Sequence, residues 1–320
     1  MAGSYYYGTL SVQPHSIIPA TVPAVQQNQQ QELGDTQPEA AKEYMFRNYD
    51  TMLVLGDSVT QRGYEVSTGG YLALLADLYR RQMDIMNRGL SGYNTLRALK
   101  IASSILPKTN TPATTTLAKR SKYPNVLSAW ERPTSRQSMW PDRDVLPNDS
   151  RRMQMLVIFL GANDARLPGK EDAMTVEQYR ENMHAIISLI RDPKSENYAP
   201  ETRILIITPP PIGELMIQEY TPTFETDPFV FNNHTRLHAE MAKQVAGEAG
   251  VPCIDLYSEI ENRVREEQID GTWPKKYDGY DNYLVDGVHL NIKGNMLLYN
   301  LIVKTFKEVW PEMLPKTLPS

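Results

Sequence analysis

The sequence has very little cysteine: Cys253 is the one cysteine among its 320 residues. A disulfide within the chain is therefore impossible, and a metal site built from several cysteines is excluded. Cys253 lies in the apolar run "VPCIDL", where we interpret it as a small core residue rather than a reactive thiol.

Long apolar stretches and an excess of basic residues are also lacking. No run approaches the roughly 18–20 apolar residues of a membrane span, so we expect no stable membrane insertion. The start, "MAGSYYYGTL", has neither the basic nor the apolar part of a secretory signal, which favours a cytoplasmic protein. The chain has 33 basic and 38 acidic side chains and a net charge of −5, so no nucleic-acid partner is expected.

Two segments differ in composition from the rest of the chain. Residues 1–46 are rich in Gln, Pro, Ala and Glu and poor in large apolar groups, which predicts a disordered tail. Residues 107–150 have no clear period and lie inside the domain that we predict for residues 47–320. We interpret them as an inserted, partly ordered surface loop, with a lid over a site as the alternative.

From residue 50 onward, apolar runs of strand length alternate with segments of helical period. The runs are residues 51–56, 83–89, 153–161, 203–211 and 251–256. The helical segments are residues 70–81, 94–105, 175–192, 232–248 and 291–308. This alternation predicts an α/β fold, a three-layer α/β/α sandwich with a central, mostly parallel five-stranded sheet. Functional groups gather at the carboxyl ends of the strands in such sheets.

Ser58 follows the first run, in "TMLVLGDSVTQRGYE", and is either a nucleophile or a helix cap. A serine hydroxyl becomes a useful nucleophile only when a base removes its proton. Four of the five histidines are poor candidates for that base. His15 lies in the tail, and we interpret His184 and the pair His234 and His238 as solvated helix-surface residues, although i,i+4 spacing also suits metal ligands.

His289 is the better candidate, in the segment "YLVDGVHLNIKGN". Asp286 precedes it by three residues, and Gly287 permits a tight turn between them. A carboxylate at that spacing can reach Nδ1 of the imidazole and leave Nε2 free to accept a proton from serine. In isolation, a capping Asp/His pair before the last helix explains the spacing equally well.

Acyl transfer also needs hydrogen-bond donors for an oxyanion. In "NRGLSGYNT", Gly89 and Gly92 follow the second strand, and glycine lets a backbone N–H approach a substrate closely. In "FLGANDA", Asn163 can donate from its side chain, whereas Asp164 is a candidate cap. Each of these residues also has an ordinary role in turns.

The four segments together resemble the SGNH hydrolase superfamily, also called GDSL esterases and lipases, over about residues 50–310. The matching blocks are Gly56-Asp57-Ser58, Gly92, Gly161-Ala162-Asn163-Asp164 and Asp286-Gly287-Val288-His289. "NRGLSGYNT", "FLGANDA" and "DGVHLN" are closest to the isoamyl acetate-hydrolysing esterase-like subfamily. Val59 stands where the family usually has Leu or Ile, and the tail and the insertion are additions to the family pattern.

The resemblance implies the flavodoxin-like SGNH fold and a role for each matching residue. Ser58 would form an acyl-enzyme, with His289 as base and then acid, oriented by Asp286. The oxyanion hole would consist of the Ser58 and Gly92 N–H groups and the Asn163 side chain. It implies no metal and no organic cofactor, and the absence of G-x-S-x-G around Ser58 argues against an α/β-hydrolase elbow.

The predicted function is therefore a serine esterase acting on small or medium carboxylic esters, with acetates as the specific candidate. The alternatives are a carbohydrate deacetylase or a lysophospholipase-type lipase of the same superfamily, because this fold accommodates many acyl substrates. A catalytically silent homologue that binds a ligand in the same cleft is a further alternative. The expected partner is a small-molecule ester, and the sequence predicts no oligomeric state.

Overall fold

The computed structural model describes residues 50–108, 152–269 and 277–315. The tail predicted for residues 1–46 lies outside these ranges. So does the insertion predicted for residues 107–150, apart from its first two residues.

Five strands form one sheet in which every pairing is parallel. They are β1 (Asp50–Gly56), β2 (Met83–Gly89), β3 (Met153–Phe159), β4 (Arg203–Ile207) and β5 (Cys253–Ile254). Their order across the sheet is β2-β1-β3-β4-β5, the order of flavodoxin-like folds. The chain thus leaves β1 toward β2 on one side and returns to β3 on the other. Such a reversal opens a crevice at the carboxyl ends of the strands, directly after Gly56.

The helices of the described ranges cover both faces of the sheet. They are α1 (Ser58–Gln61), α2 (Tyr71–Leu78), α3 (Thr95–Ile105), α4 (Val176–Arg191), α5 (Glu214–Tyr220), α6 (Asn232–Ala249), α7 (Leu256–Ile269) and α8 (Ile292–Val309). None of these helices is both long enough and apolar enough to cross a membrane.

Strand β1 shows why its sequence is continuously apolar. Successive strand residues point to opposite faces, and both faces are covered. Met52 and Val54 belong to a core cluster with α2, α7 and α8, whereas Leu53 and Leu55 belong to a second cluster with α3, α4 and α6. All four side chains are buried. The predicted three-layer sandwich is therefore confirmed.

The differences from the predicted elements lie at the later strands and in two helices. Strand β4 ends at Ile207 because Pro209, Pro210 and Pro211 lack the N–H that a sheet ladder needs. Strand β5 has two residues, and Cys253 is partly buried there against the second core cluster. The sequence analysis missed helices α5 and α7, which the structure adds to the predicted set.

Candidate active site

Ser58 begins helix α1 two residues after the last residue of β1, which is Gly56. The side chain of Asp57 caps this helix by accepting a hydrogen bond from the Val59 N–H at 2.9 Å. Burial raises the pKa of Asp57 to about 6. The alternative that Ser58 is the cap is wrong, because the side chain of Asp57 caps helix α1 and the Ser58 hydroxyl has another hydrogen-bond partner.

That partner is His289. Its Nε2 lies 2.8 Å from Ser58 Oγ, and its Nδ1 lies 2.7 Å from Asp286 Oδ2. The three side chains thus form a continuous hydrogen-bonded chain between segments 231 residues apart in sequence. The Asp/His pair is not the cap of the last helix, since Asn291 caps α8 by accepting from the Gly294 N–H at 3.0 Å.

A tight turn holds Asp286 and His289 together. Asp286 Oδ1 accepts the N–H groups of Val288 and His289 at 3.0 and 2.8 Å. Gly287 has a φ of +89°, and a Cβ there would lie 2.5 Å from the Gly213 carbonyl oxygen. A side chain at residue 287 is therefore excluded by both the backbone conformation and the space available.

Asp286 carries a negative charge at neutral pH. Burial alone would raise its pKa, but the hydrogen bonds from His289 and Val288 outweigh burial and lower the pKa to about 2. Arg62, which the sequence analysis did not identify, lies with Nη1 3.4 Å from Asp286 Oδ2. The same guanidinium pairs with Glu65 at 2.8 Å. An ionised Asp286 favours the imidazole tautomer with its proton on Nδ1, and that tautomer leaves Nε2 free to accept.

Gly92 and Asn163 lie beside Ser58 and His289 and line the same cleft. Gly92 has a φ of +76°, in the left-handed region that favours glycine, and a Cβ added there would meet nothing within 4 Å. Asn163 Nδ2 donates to the Tyr93 carbonyl oxygen at 3.1 Å, which uses one of its two hydrogens. The structure thus brings together every residue that the sequence analysis selected for the site.

Gly89, the alternative loop glycine, is placed differently. It is the last residue of β2, and its N–H donates to Asn87 Oδ1 at 2.8 Å. Its amide is therefore occupied within the protein, whereas Gly92 lies in the cleft. This contrast supports Gly92, rather than Gly89, as the candidate backbone donor to an oxyanion.

Buried contacts connect the loop that carries Gly92 to the loop that carries Asn163. Asp164 accepts the Thr95 N–H at 3.0 Å and the Thr95 hydroxyl at 2.5 Å. Its carboxyl is fully buried, and burial raises its pKa to about 7. Asp164 therefore binds the first residue of helix α3 and does not cap the segment that follows Asp164 in sequence.

Gln61 connects helix α1 to the loop that carries Gly92. Its Oε1 accepts the Ser91 N–H at 2.7 Å, one residue before Gly92. Asn87 links helix α1 to strand β2, because its Nδ2 donates to the Thr60 carbonyl oxygen at 2.9 Å. The sequence analysis missed these residues, since amide side chains at helix and strand ends have no motif that reveals such links.

The cleft around Ser58 is small, and its walls are both polar and apolar. Its volume is about 210 Å³. Ile212, Phe229, Val230 and Val288 provide its apolar wall, and Arg166 also lines it. Most of this wall comes from the segment after β4, which has no recognisable motif in the sequence.

The histidines of helices α4 and α6 lie outside this cleft. His184 pairs with Glu248 at 2.6 Å on the partly exposed surface of α4. The prediction of a solvated surface is wrong for His238, which is 2% exposed and packs edge-on against Tyr179 with ring centroids 5.4 Å apart. Burial lowers its pKa, and both ring nitrogens lie near carbonyl oxygens, those of His234 and Met174. The described residues contain no cluster of three potential metal ligands, at this pair or elsewhere.

Comparison with known proteins finds one matching family model, several relatives and similar solved structures. A model of the GDSL-like lipase/acylhydrolase family matches residues 54–297. A GDSL esterase/lipase of Arabidopsis thaliana is 28% identical over 280 residues, which cover 84% of this chain and 90% of the relative. An isoamyl acetate-hydrolyzing esterase 1 homolog of Bos taurus is 28% identical over 262 residues, covering 81% of this chain and 80% of the relative. A solved lipase/acylhydrolase from Enterococcus faecalis is similar with a TM-score of 0.47 and 20% identity, covering 84% of this chain and 100% of that one.

Proposed function

This chain belongs to the GDSL-like lipase/acylhydrolase family and is a carboxylic ester hydrolase, and from that premise we propose that it is a serine esterase acting on small carboxylic esters through an acyl-enzyme on Ser58. The single observation that carries the proposal is the hydrogen-bonded chain from Ser58 through His289 to Asp286, at 2.8 and 2.7 Å. A structural role for these residues would not require the serine hydroxyl to meet the free nitrogen of the imidazole.

In the first step, Ser58 Oγ bonds to the ester carbonyl carbon while its proton passes to His289 Nε2. Asp286 holds the Nδ1–H and stabilises the imidazolium that results. As the tetrahedral intermediate collapses, the carbon–oxygen bond to the alcohol breaks and the alcohol leaves with the proton from Nε2. Water then attacks the acyl-enzyme, giving its proton to His289, and the carboxylic acid is released as Ser58 Oγ regains a proton.

Three donors would stabilise the negative oxygen of each tetrahedral intermediate. They are the Ser58 N–H, the Gly92 N–H and the side-chain amide of Asn163. The position of Gly92 and Asn163 in the same cleft as Ser58 supports this assignment. The contact of Asn163 with Tyr93 aligns its amide before substrate arrives, and such prior alignment makes electrostatic stabilisation effective.

The size of the cleft favours a small acyl or alcohol group. Its 210 Å³ is below the roughly 300–1,000 Å³ of pockets that bury drug-sized ligands. Relatives of this chain are named for isoamyl acetate hydrolysis, which makes acetate esters the specific candidate. The partner proposed for this protein is accordingly a small-molecule ester.

The proposal is tested by the rate of hydrolysis of p-nitrophenyl esters of increasing acyl length, beside acetylated sugars and lysophospholipids. We expect an optimum at acetate or the next short chains, and loss of at least about 10⁴-fold in kcat for Ser58→Ala. Ser104→Ala, an exposed serine of helix α3, is the matched control and should keep full activity. Near-wild-type turnover by Ser58→Ala would overturn the assignment, and activity on glycans or phospholipids alone would replace the substrate class.

A further inference from the structure

Arg166 is the one cationic side chain among the described residues that line the cleft of Ser58. Its backbone is held on both sides, because Arg166 bridges to Val230 in an antiparallel pair and its N–H meets the Asn163 carbonyl oxygen at 3.4 Å. Arg166 thus follows Asn163 by three positions and contacts the segment after β4 that provides most of the apolar wall.

Within the described ranges, the guanidinium of Arg166 has no carboxylate partner. Nη1 donates to the main-chain carbonyl oxygen of Glu171 at 3.3 Å, and the guanidinium carbon lies 5.8 Å from the centre of the Phe229 ring. The Glu171 carboxylate itself pairs with Arg97 at 3.3 Å. Most of the five N–H donors of this arginine thus have no acceptor among the described residues.

The acid nearest in sequence, Asp164, is buried and accepts hydrogen bonds from Thr95, and two further acids pair with other cations. Asp172 pairs with Arg97 at 2.8 Å, and Asp227 pairs with Lys170. No carboxylate is among the described residues that line the cleft. No carboxylate of the described residues therefore neutralises Arg166, which lines both this cleft and a neighbouring pocket around His238.

A substrate that fills the cleft changes the surroundings of this cation. The cleft has a volume of about 210 Å³, so an ester bound beside Ser58 displaces water from its wall. A charge that loses water without gaining a partner is strongly unfavourable, whereas an anion that meets the guanidinium fork forms short, charge-assisted hydrogen bonds.

We propose that Arg166 forms an anion subsite, and that the preferred substrates are esters carrying a carboxylate or similar anionic group close to the scissile bond. The proposal rests on the esterase function above and narrows its substrate class. It makes Arg166 a specificity-determining residue that touches the substrate, without a part in the proton transfers of Ser58 and His289.

The test compares two matched pairs of esters. One pair places the charge on the acyl side: mono-p-nitrophenyl succinate against its neutral methyl ester. The other places it on the alcohol side: para-acetoxybenzoate against its methyl ester. We expect the wild-type protein to show a kcat/KM about tenfold to a hundredfold higher for the anion in one of the pairs, and that pair identifies the side that meets Arg166.

Variants connect the preference to the residue. Arg166→Gln should bring the anion-to-neutral ratio to about one, and Arg166→Lys should keep an intermediate ratio because the charge remains without the fork. Arg236→Gln is the control, since Arg236 is exposed on helix α6, bonds to Asn233 and changes the net charge equally. If Arg166→Gln does not fold, the wild-type ratio and Arg166→Lys decide the question.

Two results would overturn the subsite: neutral esters hydrolysed at least as efficiently as anionic ones in both pairs, or a preference that survives Arg166→Gln. Failure of the esterase function has a different signature. In that case none of the four esters is hydrolysed in a Ser58-dependent way, and the subsite is rejected together with the function.

Discussion

Replacing Asp286 with asparagine separates the catalytic role that we propose for its carboxylate from its structural role. Asp286 Oδ1 accepts the N–H groups of Val288 and His289, and an amide oxygen can keep both bonds. The amide nitrogen would then take the position of Oδ2, 2.7 Å from His289 Nδ1. As an obligate donor it would force Nδ1 to accept, and the imidazole proton would move to Nε2.

This change of tautomer affects Ser58, the proposed nucleophile. With its proton on Nε2, the imidazole points an N–H at Ser58 Oγ across the 2.8 Å contact and can no longer accept the serine proton. We expect kcat for a p-nitrophenyl ester to fall by about 10⁴-fold, which corresponds to about 5 kcal/mol of lost transition-state stabilisation. The midpoint of thermal unfolding should fall only modestly, because the turn keeps its two backbone bonds although the ion pair with Arg62 is lost.

Asp77→Asn is the control, an equal change of charge at an exposed residue of helix α2 that pairs with Arg80. It should leave both kcat and the unfolding midpoint unchanged. The reasoning is refuted if Asp286→Asn is folded and retains kcat within about tenfold of the wild type. That result would mean that the tautomer of His289 does not depend on Asp286.

Two further predictions concern the loops around the nucleophile. Asn163→Ala should lower kcat by roughly 10²- to 10³-fold with little change in KM, since the donor acts on the transition state, and an effect confined to KM would contradict this role. The pKa of Asp164 is raised by burial from 3.8 to about 7, so its contribution to stability is full below about pH 3.8 and is lost as the pH rises through 7. Asp164→Asn should therefore flatten the fall in the free energy of unfolding over that pH range, measured by urea denaturation, and an unchanged slope would refute the raised pKa.

The parts of the fold that the sequence predicts well are those with one dominant signal. β1 and β2 are continuously apolar, and the last helix shows Leu297, Leu298, Leu301 and Ile302 at helical spacing. Helix α7 was missed because its core contacts depend on Leu256, Ile260 and Val264 among many charged residues, although that four-residue spacing was a usable signal. β5 is short because only two of its residues pair with β4, a tertiary fact that composition does not reveal.

The residues of the site also differ in how well the sequence predicts them. Ser58, Asp286 and His289 follow from short motifs whose residue types the chemistry requires. Their supporting residues do not, because Arg62 and Gln61 act across space on segments far away in sequence. The burial of His238 was also missed for this reason. An i,i+4 pair places two residues on one side of a helix, but only the packing of Tyr179 shows that His238 faces inward.

The central claim is that Ser58 is the nucleophile, and covalent trapping tests it most directly. A p-nitrophenyl alkylphosphonate should phosphonylate the protein, releasing p-nitrophenolate as Ser58 Oγ bonds to phosphorus and so mimicking the tetrahedral intermediate. Intact-mass and peptide mass spectrometry should find one label per chain, on Ser58, with esterase activity lost in proportion. A label on another residue that abolishes activity, or full activity with Ser58 completely labelled, would contradict the account.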